Sequence, residues 1–299
     1  MGKNVPNDPD LILKVQIFLD QHYYGPGKVD GALGEFTYKA MVNYNYANGY
    51  KDHYNWNFVT EKAKTAVPNS LSQHTITAEH FKYVNPKLPT KPEQLQKFKA
   101  MHYRSMQELI AERYHTDETF LAKANPGANL HTLKVGQKLW VPNLKAFEVE
   151  AVKSHERFPE DPDLSSHTVV VDTHERMAAI YDVKERMLAA FPITPGKPQF
   201  IPRGKWKIVN MTSTPDFRYD KKFLEQGERG DVAYQIPPGP NSPVGIFWAG
   251  LSKSGIGLHG TAFPRTIGRT ESAGCVRLAN WDAIRLPKLV RPGSKVIVR

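Results

Sequence analysis

The hydrophobic period changes near residue 165, and that change demands more than one kind of architecture. Before it, apolar residues recur at helical spacing: Leu11, Val15, Phe18 and Leu19, then Ala40, Met41 and Tyr44, then Leu109, Ile110 and Tyr114. After it, short apolar runs at 168–172, 177–181, 187–193, 206–209, 244–248, 257–259 and 296–298 alternate with prolines and glycines. Such punctuated runs predict a mainly β sandwich or barrel-like domain. No single packed layer satisfies both periods. The chain therefore reads as multidomain α+β, with a small helical N-terminal domain, a small helix-pair and strand module in the middle, and a mainly β C-terminal domain.

Composition shifts set the boundaries. Residues 1–50 form the helical domain, broken by the turn-rich run Gly25-Pro26-Gly27-Lys28-Val29-Asp30-Gly31. Residues 51–75 are polar and aromatic without period and read as a linker or extension. Residues 76–145 form the second module. Within it, Ser105 and Glu108 make a capping box for one helix, and a second helix stops at Asn125-Pro126-Gly127. A turn and short strand at 133–142 close the module. Residues 165–299 form the β domain. Its stretch 212–243 is long, polar and rich in Pro and Gly, as lids and binding loops often are.

Forty Lys+Arg against thirty Asp+Glu give a net charge of +10, which favours anionic polymers: nucleic acid, acidic membranes or bacterial cell wall. Lysines and aromatics are scattered, without the packed motifs of a single-strand nucleic-acid binder. No apolar stretch approaches the roughly 20 residues of a membrane-spanning helix. The N-terminus lacks the apolar core of a signal peptide, so the protein is cytosolic or the sequence begins after a signal was removed.

Cys275 is the single cysteine, which excludes an intrachain disulfide and leaves almost no room for a Cys-based zinc site. It lies in Ser272-Ala273-Gly274-Cys275-Val276-Arg277-Leu278. His259 ends the alternating segment Ile256-Gly257-Leu258-His259 and is followed by Gly260. A thiol attacks as its thiolate, and an imidazole can take the proton or pair with the anion. Glycine before the cysteine lets backbone N–H groups turn toward a developing oxyanion. Arg277 can hold a carboxylate through its planar fork of donors. On these grounds alone a buried structural cysteine and a nucleophile weigh about equally. The run Gly255-Ile256-Gly257-Leu258-His259-Gly260 spells a dinucleotide fingerprint, but Pro264 stands where its helix would run. His155-Glu156 and His174-Glu175 start like a zincin helix without its second histidine.

His259-Gly260-Thr261 followed by Ser272-x-Gly274-Cys275-Val276-Arg277-Leu278 resembles the catalytic signature of the L,D-transpeptidase family. Further landmarks of the likeness are Thr194-Pro195-Gly196-Lys197, Pro202-Arg203-Gly204-Lys205-Trp206 and Asn241-Ser242-Pro243-Val244-Gly245. The resemblance spans about residues 165–299. It implies cleavage of a peptidoglycan stem peptide at an L,D bond through a cysteine thioester, then transfer to an amine that forms a cross-link. Cys275 would be the nucleophile and His259 the base, with the Gly260 carbonyl orienting the imidazole. Gly274 and Cys275 N–H groups would form the oxyanion hole. Arg277 would bind donor carboxylate, with Ser272, Thr261, Tyr234 and Tyr219 on the substrate side. Neither metal nor organic cofactor is implied. Ala273 stands where the family has a histidine or another polar residue, and Ile201-Pro202-Arg203-Gly204 replaces a Thr-Pro-Thr-Gly pattern. Tyr219, Tyr234, Phe247 and Trp248 are candidates to line the cleft, although Phe247 and Trp248 read more readily as core or as bracing for the long loop.

The front of the chain is similar to known wall-binding modules. Gln16-x-Phe18-Leu19 with Gly27-x-Val29-Asp30-Gly31-x-x-Gly34-x-x-Thr37-x-x-Ala40 resembles the helical peptidoglycan-binding domain. Leu109-Ile110-Ala111-x-x-Tyr114 with Leu133-x-x-Gly136-Gln137-x-Leu139-x-Val141-Pro142 resembles a degenerate lysin motif whose first strand is not legible around Tyr103-Arg104-Ser105-Met106. Peptidoglycan, as stem peptide and glycan, is the implied partner, and the bacterial envelope the implied location. A sortase-type enzyme places its arginine well beyond the cysteine, and a papain-like enzyme reverses the order of Cys and His. The alternatives are a catalytically inactive or weakly active wall-binding protein, toward which Ala273 leans, and an L,D-carboxypeptidase that uses water.

Overall fold

The computed structural model describes residues 1–197 and 203–299. It divides into two compact units, one of residues 1–84, 105–148 and 185–192, the other of residues 85–104, 149–184 and 193–299.

The first unit opens with helices α1 (Pro9–Gln21), α2 (Glu35–Ala47) and α3 (Asn57–Ala66). Asp8 starts α1 by accepting the N–H groups of Asp10 and Leu11, and Pro9 pre-sets the first helical φ. Val15, Ile17, Phe18 and Leu19 are buried. So is Gln16, whose amide stitches the loop between α1 and α2 to the helices. Its Oε1 accepts from the N–H groups of Asp30 (3.0 Å) and Gly31 (2.7 Å), and its Nε2 donates to the Ala32 carbonyl (3.0 Å) and the Thr37 hydroxyl (3.1 Å). A buried amide must satisfy its donors and acceptor, so Gln16, Asp30, Gly31 and Thr37 occur together for a structural reason. The same loop is engaged inside the unit. Lys28 pairs with Asp117 at 2.5 Å, Val29 N–H donates to the His115 carbonyl at 2.8 Å, and the His115 ring meets the Asp20 carboxylate at 3.0 Å.

The stretch 51–75 holds α3 and a strand, β1 (Leu71–Thr75). After α4 (Pro92–Leu95), which lies in the second unit, the chain returns through α5 (Met106–Arg113) and α6 (Glu118–Ala124) to β2 (Lys138–Pro142). β1 and β2 are antiparallel, from Leu71 opposite Pro142 to Thr75 opposite Lys138. Ser105 caps α5 by accepting the Glu108 N–H at 3.0 Å, and Asp117 caps α6 through the Phe120 N–H at 2.9 Å. Asn125 brackets β2, accepting the Trp140 N–H and donating to its carbonyl. The strand sought near Tyr103 therefore sits upstream, as Leu-Ser-Gln-His-Thr. With only one strong apolar residue, β1 is held by its partner strand and carries little signal of its own.

The second unit is mainly β, so the mixed α+β architecture is the one expected. Its strands are β3 (Thr168–Asp172), β4 (Met177–Tyr181), β6 (Gly204–Ser213), β9 (Phe247–Leu251), β10 (Gly257–His259), β11 (Val276–Arg277) and β12 (Lys295–Val298). The intervening β5 (Met187–Pro192) groups with the first unit, where Gly25 N–H donates to the Ala190 carbonyl. In the sheet the order is β11-β10-β9-β6-β12-β3-β4, with β10–β11 and β3–β12 parallel. Val169, Val171 and Val296 are fully buried while Thr168 and Val170 are partly exposed, the period-2 alternation of a sheet with one core face.

The stretch 212–243 is not a single loop. It contains β7 (Phe217–Tyr219), α7 (Lys221–Gln226) and β8 (Tyr234–Ile236), with α8 (Asn280–Ala283) following later in the chain. β7 and β8 pair, from Phe217 opposite Ile236 to Tyr219 opposite Tyr234. Asp220 caps α7 through the Phe223 N–H at 3.0 Å. The underside of this hairpin packs on Leu88, Leu95, Phe98 and Met101. Met101 N–H donates to the Pro238 carbonyl at 2.8 Å, and Asn241 N–H donates back to Met101 at 2.9 Å. No helix among the described residues is long and apolar enough to cross a membrane.

Candidate active site

Three neighbouring strands build the site. β10 lies between β9 and β11, with His259 in register with Trp248 on one side and Arg277 on the other. Leu258, Val276 and Ala249 fill the core face of these strands and are buried. Alternation then sends His259, Arg277 and Trp248 to the opposite face, together with Cys275 one step before β11. His259, Trp248, Cys275, Arg277, Ser272 and Ala273 line one cavity of about 1090 Å³. Its far wall comes from β7 and α7, including Phe217, Arg218, Tyr219 and Phe223.

The cysteine loop is held by backbone. Ser272 N–H donates to the Pro195 carbonyl (3.0 Å), Lys197 N–H to the Ser272 carbonyl (2.8 Å), and Thr194 and Arg277 exchange both N–H···O bonds. Gly196 lies so close to Gly274 that a side chain there would overlap the Gly274 backbone. Gly274 has φ +116°, a conformation that favours glycine. The Ser272 hydroxyl donates to the Cys275 carbonyl and accepts the Gly274 N–H at 3.3 Å. In the resting site, one of the two N–H groups expected in the oxyanion hole thus has a partner, by a long bond.

The imidazole is fixed from behind. His259 Nδ1 lies 2.6 Å from the Gly260 carbonyl, which can only accept, so Nδ1 carries the proton and Nε2 is left as the base. Gly260 N–H donates to the Phe247 carbonyl at 3.1 Å. Asn280, fully buried at the start of α8, accepts the N–H groups of Ile246 and Thr261 at 3.2 Å each and donates to the Pro240 carbonyl at 3.2 Å. A side chain at Gly245 or Gly260 would overlap its Oδ1.

Burial dominates the electrostatics. It pushes His259 down to about 4; the Arg277 guanidinium adds to that and the Gly260 carbonyl opposes it. Burial pushes the Cys275 thiol up to about 11, opposed by the Gly257 N–H and by Arg277. Burial also lowers Arg277, which at neutral pH still carries its charge. At neutral pH the site thus holds a neutral thiol and a neutral imidazole beside a guanidinium. Consistently, the thiol is directed at the Gly255 carbonyl, 3.6 Å away.

Of the residues singled out from sequence, His259, Ser272, Cys275, Arg277 and Tyr219 meet at the cavity, with Gly260 behind the imidazole and Gly274 in the cysteine loop. Thr261 is buried and spends its hydroxyl accepting the Phe263 N–H at 3.2 Å. Tyr234 packs under the hairpin instead of lining the cavity. Arg203 is exposed, and Ile201 and Pro202 lie outside the described residues. Trp248, for which core was the preferred reading over cleft, is half-buried and lines the cavity, whereas Phe247 is buried; Asn280 was not singled out at all.

Residues 166–298 match the family model YkuD, the L,D-transpeptidase catalytic domain, and residues 108–142 match the LysM domain. A putative L,D-transpeptidase YkuD of Bacillus licheniformis is 28% identical over 192 residues, covering 64% of this chain and 92% of the relative. Its counterpart in Bacillus subtilis is 26% identical over 189 residues, covering 63% and 90%. Among solved structures, an L,D-transpeptidase from Mycobacterium smegmatis aligns with 56% of this chain and 75% of its own, at 16% identity and a TM-score of 0.36. The chain spans half of an Enterococcus faecium L,D-transpeptidase chain, at 18% identity and a TM-score of 0.36.

Proposed function

We propose that this chain is an acyl transferase that opens a peptidoglycan stem peptide at an L,D bond through a Cys275 thioester and passes the acyl group to an amine, forming a cross-link. The observation that carries this reading is the juxtaposition of Cys275, His259 and Arg277 on adjacent strands, facing one cavity. The catalytic-domain match over 166–298 supports the reaction class.

The chemistry follows from the resting state. Substrate displaces water, and the Cys275 proton passes to His259 Nε2 as the sulfur attacks the scissile carbonyl. Arg277 lowers the cost of the thiolate and binds a donor carboxylate through paired N–H groups. The oxyanion is met by the Cys275 N–H and by the Gly274 N–H, whose long bond to Ser272 is readily exchanged. The C–N bond breaks, His259 returns its proton to the leaving amine, and a thioester remains. The acceptor amine then adds to the thioester carbon with loss of its proton to His259. The C–S bond breaks, and the thiol is restored. Backbone donors need no side chain at Ala273, so its presence is compatible with turnover.

The LysM match at 108–142 and the helical residues 1–50 hold the enzyme on the wall, and the reaction belongs to the cell envelope. The loop at 25–31 is engaged by Asp117 and His115 within its own unit, so wall contact falls on other surfaces. The test is incubation with purified tetrapeptide muropeptides and mass spectrometry of the products. Cross-linked dimers lacking one terminal D-residue are expected. Shortened monomers alone would make water the acceptor, and untouched muropeptides would leave a wall-binding protein.

A further inference from the structure

Trp248 lies parallel to the His259 imidazole, with ring centroids 5.7 Å apart and planes inclined by 20°. The strands make room for that stack. A side chain at Gly257 would come within 2.7 Å of the indole Cζ2, and one at Gly250 within 2.9 Å of its Nε1. Two glycines opposite each other on β9 and β10 thus form a bed for one ring. Alternation places Trp248 on the face opposite buried Ala249 and Leu258, so the indole does not fill the core behind the strands; it stacks on the base and lines the cavity.

The groups around the imidazole explain what such a stack supplies. β11 sets the Arg277 cation beside it, and Cys275, one residue before that strand, lines the same cavity; β9 brings no titratable group. Across the cavity, β7, α7 and the turn after it add Arg218, Tyr219 and Arg229, while Asp216 is paired with His155 at 3.1 Å. Arg157 and Glu160 lie on the 155–160 segment. Burial and a mostly cationic surround both oppose a charge on His259, yet the proposed reaction passes through an imidazolium. The face of an aromatic ring carries negative potential, strongest for tryptophan, and attracts a cation without bringing a competing proton.

We infer that Trp248 is a positioning residue that holds the His259 ring in its Gly260-directed orientation and selectively stabilises the imidazolium formed when Cys275 gives up its proton. The inference rests on the acyl-transfer reading, with His259 as base. Proton transfer from Cys275 Sγ to His259 Nε2 leaves the total charge of the pair unchanged. Between the two pKa values the pair therefore holds one proton at every pH, and the share of thiolate–imidazolium is independent of pH. Reactive thiolate is that constant share plus the directly ionised thiol, so alkylation of Cys275 should show a plateau toward the acid end of this range, set by the share, and above it an alkaline limb set by direct ionisation of the thiol.

The experiment uses the full chain, in which Cys275 is the single cysteine, so mass gain from iodoacetamide reports that thiol alone. Trp248→Leu should lower the plateau by roughly 2- to 30-fold, the range of a cation–π contact at about 1.4 kcal/mol per decade, and leave the alkaline limb in place. Trp248→Phe, which keeps a ring, should fall in between. His259→Ala should abolish the plateau, so that the rate climbs tenfold per pH unit, and Trp248→Leu should be silent in that background. Equal slowing of plateau and limb by Trp248→Leu, or the same loss with and without His259, would reduce Trp248 to a structural residue and overturn the inference. An unchanged plateau in His259→Ala would instead overturn the assignment of His259 as base, and the inference with it.

Discussion

Replacing Asn280 by alanine should loosen the site from behind. Its side-chain oxygen accepts the N–H groups of Ile246 and Thr261, and its nitrogen donates to the Pro240 carbonyl, all at 3.2 Å and in a fully buried position. Alanine leaves two buried N–H groups without that acceptor, at about 1–3 kcal/mol each before relaxation. Water admitted through the cavity left by the amide recovers part of this, so a net loss of roughly 3 kcal/mol is expected. For a unit of this size that lowers the melting temperature by about 6–12 °C. The chemical consequence is separate from the thermal one. Thr261 and Gly260 follow His259 directly, so a released loop lets the Gly260 carbonyl leave Nδ1 and the imidazole lose its tautomer and aim. Thermal melts by circular dichroism, and steady-state turnover on muropeptides well below the variant's midpoint, check the two parts. kcat should fall more than KM rises. A variant that melts within a degree of the parent and turns over normally would refute the reasoning.

Arg277→Lys keeps the charge but loses the planar fork, and kcat/KM should drop by about 10- to 150-fold, as expected for one charge-assisted hydrogen bond of roughly 1.5–3 kcal/mol; unchanged kinetics would move the carboxylate anchor elsewhere. Acid and alkali should each destabilise the second unit. His259 is held down at about 4, so an unfolded chain takes up a proton the native one refuses, and stability falls as pH drops from about 6.5 through 4. Cys275 is held up at about 11, so the native thiol keeps its proton while the unfolded one ionises, and stability falls as pH rises from about 9 through 11. Urea unfolding of His259→Gln across pH should show a weakened acid limb; the same acid limb as the parent would reject the assignment. The Cys275→Ala chain should sediment with purified cell wall above physiological ionic strength, whereas release by moderate salt would reduce the attachment to attraction by the net charge of +10.

The signature His259, Cys275 and Arg277 was legible because its parts obey rules that act over a few residues. The two-residue step from Cys275 to Arg277 puts those two side chains on one face by local alternation, and a strand ending in His-Gly offers its imidazole at a strand end, but His259 joins them only through the parallel pairing of β10 with β11. Other features depend on which strands become neighbours. Trp248 reaches His259 only through the β9–β10 register and two facing glycines, so its hydrophobicity alone suggested core. Asn280 serves Ile246 and Thr261, 34 and 19 residues away, and no local pattern announces such a bond. The hairpin within 212–243 was hidden for the same reason: its apolar residues are sparse until Leu88, Leu95 and Met101 arrive from far upstream. Tyr219 and Tyr234 share a register position, yet the cavity takes only Tyr219, a choice made by the hairpin's seating and not by composition.

The central claim is that Cys275 carries the acyl group, and intact-protein mass spectrometry during turnover tests it most directly. Rapidly quenched mixtures of the full chain with tetrapeptide muropeptides should contain protein heavier by the donor stem minus its terminal D-residue. The adduct should be cleaved by hydroxylamine, as a thioester is, and be absent from Cys275→Ala, which should also release no product. Product formation by Cys275→Ala, or turnover by the parent with the added mass on another residue, would contradict the account.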